Sequence, residues 1–296
     1  MKTLAIITPT YNRANLLNVA YQSLENQTIK DFVWYVIDDG SRDNTEQVMQ
    51  DIINKTSFDI IYEKKQNGGK HSALNRAYKL IHEELALILD SDDELVNTAV
   101  ETILADYPSI KNDASICALG YLRINKSNKK VIGVPYTQDG IIDTFVDQRI
   151  NKNTCGDKCE VFKSEVLKQY PFPEFEGENF VSESTVWCKM SLHYKMKFIN
   201  KGIYICEYQV GGLSDGVHKR LFKNPKGASA CYLSMSSKQV KLMPRIKYTI
   251  AYTVYSFAAK IKAREQFKRV SSKFIYMLTF LPSWFIYLRK KRRYKK

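Results

Sequence analysis

Acidic residues are nearly absent from the C-terminal region: positions 238–296 hold one, Glu265, against 17 Lys and Arg. Positions 1–237 carry 28 basic and 30 acidic side chains, so the net charge of +14 belongs to the tail. Two regions with different partners are expected. Cysteine is also scarce. Of six, only Cys155 and Cys159 are close in sequence, which excludes a small disulfide scaffold and a structural zinc site and leaves reduced thiols in cytosol. Thirteen Gly, eight Pro and 44 % apolar residues exclude collagen-like, mucin-like and disordered chains. Long apolar runs are missing. Leu4–Ile7 is too short for a signal-peptide core, so a cytoplasmic N-terminus is expected. The run Phe274–Leu288, with Pro282 inside it, is shorter than the roughly 20 apolar residues that a membrane span needs. No Gly-x-Gly-x-x-Gly turn occurs, which removes a dinucleotide dehydrogenase.

What is present is alternation. Apolar runs at Leu4–Ile7, Phe32–Ile37, Asp59–Tyr62 and Leu85–Leu89 are separated by helix-period segments carrying Leu17/Leu24, Met49/Ile52 and Leu74/Tyr78. The order βαβαβαβ predicts an α/β fold with a parallel sheet covered on both faces. Asp43 and Glu46 resemble a capping box for the second helix. Farther on, strands are expected at Ile116–Leu122 and Phe198–Tyr208, and helices at Val161–Gln169 and Thr185–Tyr194. This gives a catalytic region over 1–237, divided into halves 1–100 and 101–237, and a basic, aromatic-rich helical tail over 238–296.

In open parallel sheets, ligands bind beyond the carboxyl ends of the strands. Three loops there are chemically loaded: Thr8-Pro9-Thr10-Tyr11-Asn12-Arg13, Asp38-Asp39-Gly40-Ser41 and Asp90-Ser91-Asp92-Asp93. Gathering carboxylates on one edge is costly unless a cation joins them. Oxygen ligands from one or two carboxylates suit Mg²⁺ or Mn²⁺ held jointly with phosphates. A metal-bound nucleotide or sugar phosphate is the expected ligand.

These three strings, in this order and spacing, resemble the nucleotide-binding half of family 2 glycosyltransferases. Gly156-Asp157-Lys158 and Phe172 through Trp187 more loosely resemble the acceptor half of bacterial members that build capsular or wall polysaccharide. The resemblance implies a GT-A, Rossmann-like fold with a mostly parallel sheet flanked by helices, and inverting transfer of a sugar from a UDP-sugar to a glycan or lipid-linked acceptor. It places Pro9, Tyr11 and Arg13 around base and ribose, Asp39 on the base, and Asp90 near ribose and metal. Asp92 is the implied principal metal ligand, and Asp93 a sugar or acceptor contact. Lys70 or Arg76 is implied to meet the nucleotide. The catalytic base is implied at Glu183, in a Glu183-Ser184 pair where relatives carry Glu-Asp, with Asp157 as the alternative and an acceptor contact. His218 is implied to complete the metal shell, with Lys219 or Arg220 on the diphosphate.

Two other enzyme readings start from the same residues. A haloacid-dehalogenase-type phosphotransferase also begins with Asp-x-Asp after a strand, but near the chain start and with Thr or Val where this chain has Glu94. A nucleotidyltransferase calls for a Gly-rich loop after the first strand, where this chain has Thr-Pro-Thr-Tyr-Asn-Arg. A non-enzymatic nucleic-acid binder could use the basic tail. The tail is instead expected on an anionic membrane surface, at the inner face of the cell membrane, with no nucleic-acid partner. Homo-oligomerisation through its aromatic helices is the competing use.

Overall fold

The computed structural model describes residues 2–207 and 216–294. Tyr208, the last residue of the expected strand, lies outside the described residues, as do Ser214, Asp215, Lys295 and Lys296. Contacts divide the chain into two compact units. One comprises Met1–Thr144, Thr154–Pro171 and Tyr194–Glu207; the other comprises Phe145–Asn153, Phe172–His193 and Tyr208–Lys296.

The first unit opens with the expected alternation: β1 (Leu4–Thr10), α1 (Ala14–Glu25), β2 (Phe32–Asp38), α2 (Thr45–Ile53), β3 (Asp59–Lys64), α3 (Lys70–Leu80) and β4 (Leu85–Ile88). Then come β5 (Glu94–Leu95), α4 (Ala99–Asp106), α5 (Pro108–Lys111), β6 (Ile116–Asn125), β7 (Ile141–Asp143), β8 (Lys158–Lys163), α6 (Ser164–Gln169) and, after residues of the other unit, β9 (Lys195–Cys206). Among the described residues the strands form one sheet in the order β3-β2-β1-β4-β8-β6-β9-β5, with β7 also on β9. β3, β2, β1 and β4 are parallel. β8 runs antiparallel to both β4 and β6. β6 is therefore parallel to β4, and β9 is parallel to β6.

β1 and β2 are buried along their whole length, as continuous apolar strands covered on both faces must be. On one face Leu4, Ile6, Trp34 and Leu87 pack against Leu17, Tyr21 and Leu24 of α1 and against Phe58. Trp34 also donates its indole N–H to the Thr8 hydroxyl at 2.8 Å, which satisfies a buried polar pair.

Two local expectations change. The helix expected over Val161–Gln169 begins at Ser164; Val161 and Phe162 instead pair with β4 on one side and β6 on the other. A β-branched and an aromatic residue suit that central strand. Glu46 does not close a capping box. Asp43 accepts from the backbone N–H and hydroxyl of Thr45 (3.1 and 2.6 Å) and from the N–H of Ala14 at 3.1 Å, serving two helix starts, while Glu46 pairs with Lys64 at 3.1 Å.

The second unit is helical: a π-helical turn at Asp147–Asn151, then α7 (Ser184–Met190), α8 (Val217–Lys223), α9 (Pro225–Met235), α10 (Leu242–Ala258), α11 (Ala263–Arg269) and α12 (Lys273–Tyr294). α9 packs on α7 and on α10, and α10 on α12. Pro225 opens α9, and the Glu178 carboxylate accepts from the N–H groups of Lys226 and Gly227 at 2.8 Å each, so proline and carboxylate together fix that helix start. No helix among the described residues is long and apolar enough to cross a membrane.

Candidate active site

Because β1, β2 and β4 are adjacent and parallel, the loops that follow them share one edge of the sheet. The first two loops are tied together. The N–H of Asn12 donates to the Ser41 hydroxyl at 2.8 Å, and the Asn12 side-chain oxygen accepts from Arg42 N–H at 2.8 Å. Asn12 has φ 51°, a left-handed conformation that Asn tolerates better than most residues. Asp38, fully buried, accepts from Ser41 N–H at 2.7 Å and from the Tyr62 hydroxyl at 2.9 Å. Burial, and then the bond to Asp38, push the Tyr62 phenol well above its ordinary range.

Asp39 is the anchor of a third loop. One carboxylate oxygen accepts from Lys65 Nζ (2.8 Å) and Gly68 N–H (2.9 Å), the other from Asn67 Nδ2 (3.0 Å) and Gly69 N–H (2.6 Å). A carboxylate offers roughly four acceptor positions, so all of them are met by the chain itself. Gly69, at φ 91°, is the residue before α3, and only glycine takes that angle without strain. The loop thereby delivers Lys70 to Asp90, at 2.6 Å.

The Asp90–Asp93 loop carries the densest charge. Asp92 pairs with Arg13 at 2.8 Å and Asp90 with Lys70. Asp93 points inward, accepting from the Tyr204 hydroxyl at 2.8 Å with Arg123 at 3.5 Å. The same Tyr204 oxygen accepts from Asp90 N–H at 3.0 Å, and the Arg123 guanidinium lies 3.9 Å from the Tyr204 ring centre. Burial raises the Asp90 carboxyl, but Lys70, Arg123 and Arg13 outweigh it and hold the group below its ordinary value. Burial and the Asp90 charge push the Asp93 carboxyl up to about 7, against Arg123 and the Tyr204 hydroxyl.

Sequence reasoning missed Arg123 and Tyr204, although one signal was available. β6 and β9 run parallel to β4, so their carboxyl ends reach the same edge, and Arg123 follows the apolar run Ile116–Leu122 directly. The rule applied to the first four strands reaches Arg123 once the direction of β6 is known.

The remaining candidates are dispersed. Pro9 is buried in β1 opposite Ile37, and Tyr11 is exposed beyond it. Arg76 makes a two-pronged ion pair with Glu63 of β3 at 2.5 and 2.8 Å, on a partly exposed surface. Asp157 is exposed at the start of β8, between Gly156 and a buried Lys158 that donates to the carbonyl of Val134 at 2.8 Å.

Glu183, His218, Lys219 and Arg220 belong to the second unit. Glu183 stands at the N-cap of α7, a helix held by buried Val186, Trp187 and Met190. Gly216, at φ 68°, takes the left-handed N-cap, and the helix that follows puts exposed His218 and Lys219 in its first turn. Arg220 lies 5.4 Å from the Phe180 ring centre, and burial lowers its pKa.

No group of three or more His, Cys, Asp or Glu able to hold a metal ion occurs among the described residues. Asp90 and Asp92 still fit a hard divalent cation shared with phosphate. Each places one oxygen on a cationic side chain, Lys70 or Arg13, leaving acceptor positions for a metal bound by few protein ligands.

Comparison with known proteins identifies the family and the fold. At 30 % identity over 217 residues, the chain is similar to the GalNAc(5)-diNAcBac-PP-undecaprenol beta-1,3-glucosyltransferase of Campylobacter jejuni, covering 69 % of this chain and 64 % of that protein. The chain thus spans a little under two thirds of that relative's length. Its fold is similar to that of S. aureus TarS residues 1–349 in complex with UDP-GlcNAc, with a TM-score of 0.66, 18 % identity and coverage of 98 % and 81 % of the two chains. It is also similar to the mannosyltransferase PcManGT of Pyrobaculum calidifontis in complex with GDP-Man and Mn²⁺, with a TM-score of 0.56, 16 % identity and coverage of 99 % and 87 %. The model of glycosyl transferase family 2 matches residues 5–170, more than half of its length, and the chain belongs to that family.

Proposed function

We propose that the protein transfers a sugar from a nucleotide diphosphate donor, of the UDP-sugar class, to a hydroxyl of a glycan or lipid-linked acceptor, with inversion at the anomeric carbon. The observation that carries this reading is the meeting of Arg13, Lys70, Asp90 and Asp92 at one sheet edge, two cations already within 2.8 Å of two carboxylates. Such a set exchanges partners readily. Asp92 and Asp90 would hold Mn²⁺ or Mg²⁺, and Arg13 and Lys70, released from them, would turn to the diphosphate oxygens. The bound metal would offset the charge that develops on the departing diphosphate.

Tyr11, exposed at the end of β1, would stack on the base, and Asp93 would face the sugar side of the loop. In the second unit Glu183 would take the proton of the attacking hydroxyl. Its mount is rigid because the helix behind it is buried, which a general base requires. His218 would serve as a further metal ligand, and Lys219 or Arg220 as a diphosphate contact. A lipid-linked acceptor is supported by the Campylobacter jejuni relative, whose name specifies a diphospho-undecaprenol-linked glycan.

The test is a panel of nucleotide sugars incubated with Mn²⁺ or Mg²⁺, scored for nucleotide release and for the anomeric configuration of the product. A UDP-sugar is expected to be turned over, and Asp92→Asn to lower turnover at least about a hundredfold, equivalent to roughly 2.7 kcal/mol. Full activity in excess chelator sinks the metal assignment, and retention of configuration sinks the single displacement.

A further inference from the structure

The last helix has two faces of different character. Its inner face packs on α10: Phe257 meets Phe280, Trp284 and Tyr287 with ring centres 5.3, 4.9 and 5.8 Å apart, and Tyr276 joins buried Tyr252 and Val270. The opposite face is apolar and covered by nothing among the described residues. Phe274, Leu278, Leu281 and Phe285 are 67, 63, 65 and 67 % exposed. Their spacing of four, three and four residues puts them on one line along the helix, roughly 16 Å long. Monomeric soluble proteins seldom leave such a stripe bare.

Two further observations say what would cover it. Continuing the same spacing, i+4 and i+7 from Phe285, reaches Arg289 and Arg292, both exposed and in no ion pair among the described residues. The single acid of the region, Glu265, lies outside this helix, whose last turn carries Lys291, Arg292 and Arg293. A hydrophobic partner helix could fill the apolar line but would meet an uncompensated cationic end. An anionic bilayer surface satisfies both parts, with acyl chains under the apolar line and acidic headgroups at the arginines. The helix is too polar at that end to cross a membrane, so it would lie along the interface.

We propose that the Phe274–Phe285 face of α12, with Arg289 and Arg292 at its end, is a docking surface for anionic phospholipid bilayers. This inference does not depend on the sugar chemistry. It would bring the enzyme to the surface where a lipid-linked acceptor resides.

Trp284 supplies a built-in probe. It is 41 % exposed at the flank of the face, whereas Trp34 and Trp187 are 0 and 4 % exposed, so a change in tryptophan emission on adding vesicles reports on α12. The experiment titrates the full chain with pure phosphatidylcholine vesicles and with mixed phosphatidylcholine–phosphatidylglycerol vesicles, and measures emission and co-sedimentation. Expected are a blue shift and at least tenfold stronger binding to the anionic vesicles, weakened by salt. Leu281→Glu with Phe285→Glu should abolish both readouts while nucleotide binding persists. Arg289→Glu with Arg292→Glu should erase the preference for anionic lipid. Should the first pair fail to fold, Phe274→Ser with Leu278→Ser makes the same test with smaller, uncharged changes. Equal binding to both vesicle types, or wild-type binding by the Leu281/Phe285 variant, overturns the proposal. So does an unshifted emission accompanied by a protein dimer that the same variant dissociates, which would make the face a contact between copies.

Discussion

Replacing Asp39 with Asn keeps the size of the side chain and removes one of its two oxygens as an acceptor. Either way the amide turns, its NH₂ group must face two donors: Lys65 Nζ and Gly68 N–H on one side, or Asn67 Nδ2 and Gly69 N–H on the other. Hydrogen bonds to a charged acceptor are worth about 1.5–3 kcal/mol each, and these are half-buried, so the low end applies, giving about 3 kcal/mol for two of them. For a unit of this size that lowers the melting midpoint by roughly 6–12 °C. Because the loop ends one residue before Lys70, loosening it also detaches the cation that faces Asp90. UDP affinity should then fall at least about tenfold.

The assay is urea or thermal unfolding of Asp39→Asn beside wild type, with UDP titrated calorimetrically. If Asp39 served only to touch the base, the unliganded protein would unfold at the same midpoint and only the preference among nucleotides would change. A stability loss below about 0.5 kcal/mol, the range of an ordinary surface substitution, therefore refutes the loop-anchoring argument. A base contact from Asp39 requires that one of its four donors first let go.

Three other outcomes are open to direct measurement. Glu183→Gln, which keeps the size of the side chain at the start of α7, should fold, should bind UDP normally, and should lose transfer by on the order of a hundredfold to ten-thousandfold. A thiol reagent should label one cysteine quickly in the native protein, exposed Cys155, and all six only after unfolding, because the other five are buried and burial drives thiols such as Cys117, at about 12, away from the reactive thiolate. The Arg76 bond holds Glu63, and the Lys111 and Tyr107 bonds hold Glu84, below the ordinary glutamate value of about 4.3. The unfolded chain then binds more protons than the folded one, so stability is fully present above about pH 4.3 and is lost as pH falls through the lower folded values. Arg76→Gln should flatten that acid loss, and an unchanged acid limb would refute the contribution.

Residues 4–88, from β1 to β4, were legible because their strands and helices alternate with clear patterning. Leu4–Ile7 of β1 and Phe32–Ile37 of β2 are continuous apolar runs alternating with helices of period 3.6, the pattern of a covered parallel sheet. Beyond β4 the signals conflict or are missing. Val161 and Phe162 continue into Val166 and Leu167 at a spacing that suits one helix, yet the first pair is a central strand and the second a short helix. β5 and β7 have two and three residues and owe their existence to β9, which no local pattern can reveal. The candidate site divides in the same way. Loops that follow recognisable strands announced their carboxylates. Arg123 and Tyr204, which hold Asp93 and the backbone of Asp90, become visible only when the direction of β6 and β9 is known.

That direction depends on β8. By running antiparallel between β4 and β6, it restores both neighbours to the same sense and sends its own amino end, not its carboxyl end, to the site edge. Lys158 is there as a result, with its carbonyl accepting from Arg123 Nε at 2.8 Å, and Asp157 immediately precedes it. Asp157 thus reaches the candidate site edge by strand reversal, without following any apolar run. Glu183 stands in the other unit on a buried helix start. The two carboxylates proposed for the acceptor side consequently have different support, and paired substitution separates them. A base at Glu183 predicts that Asp157→Asn raises KM for the acceptor with kcat largely kept, whereas Glu183→Gln removes kcat with KM kept. If the two variants exchange these behaviours, proton removal belongs to the β8 end of the sheet, and the helix start carrying Glu183 serves packing alone.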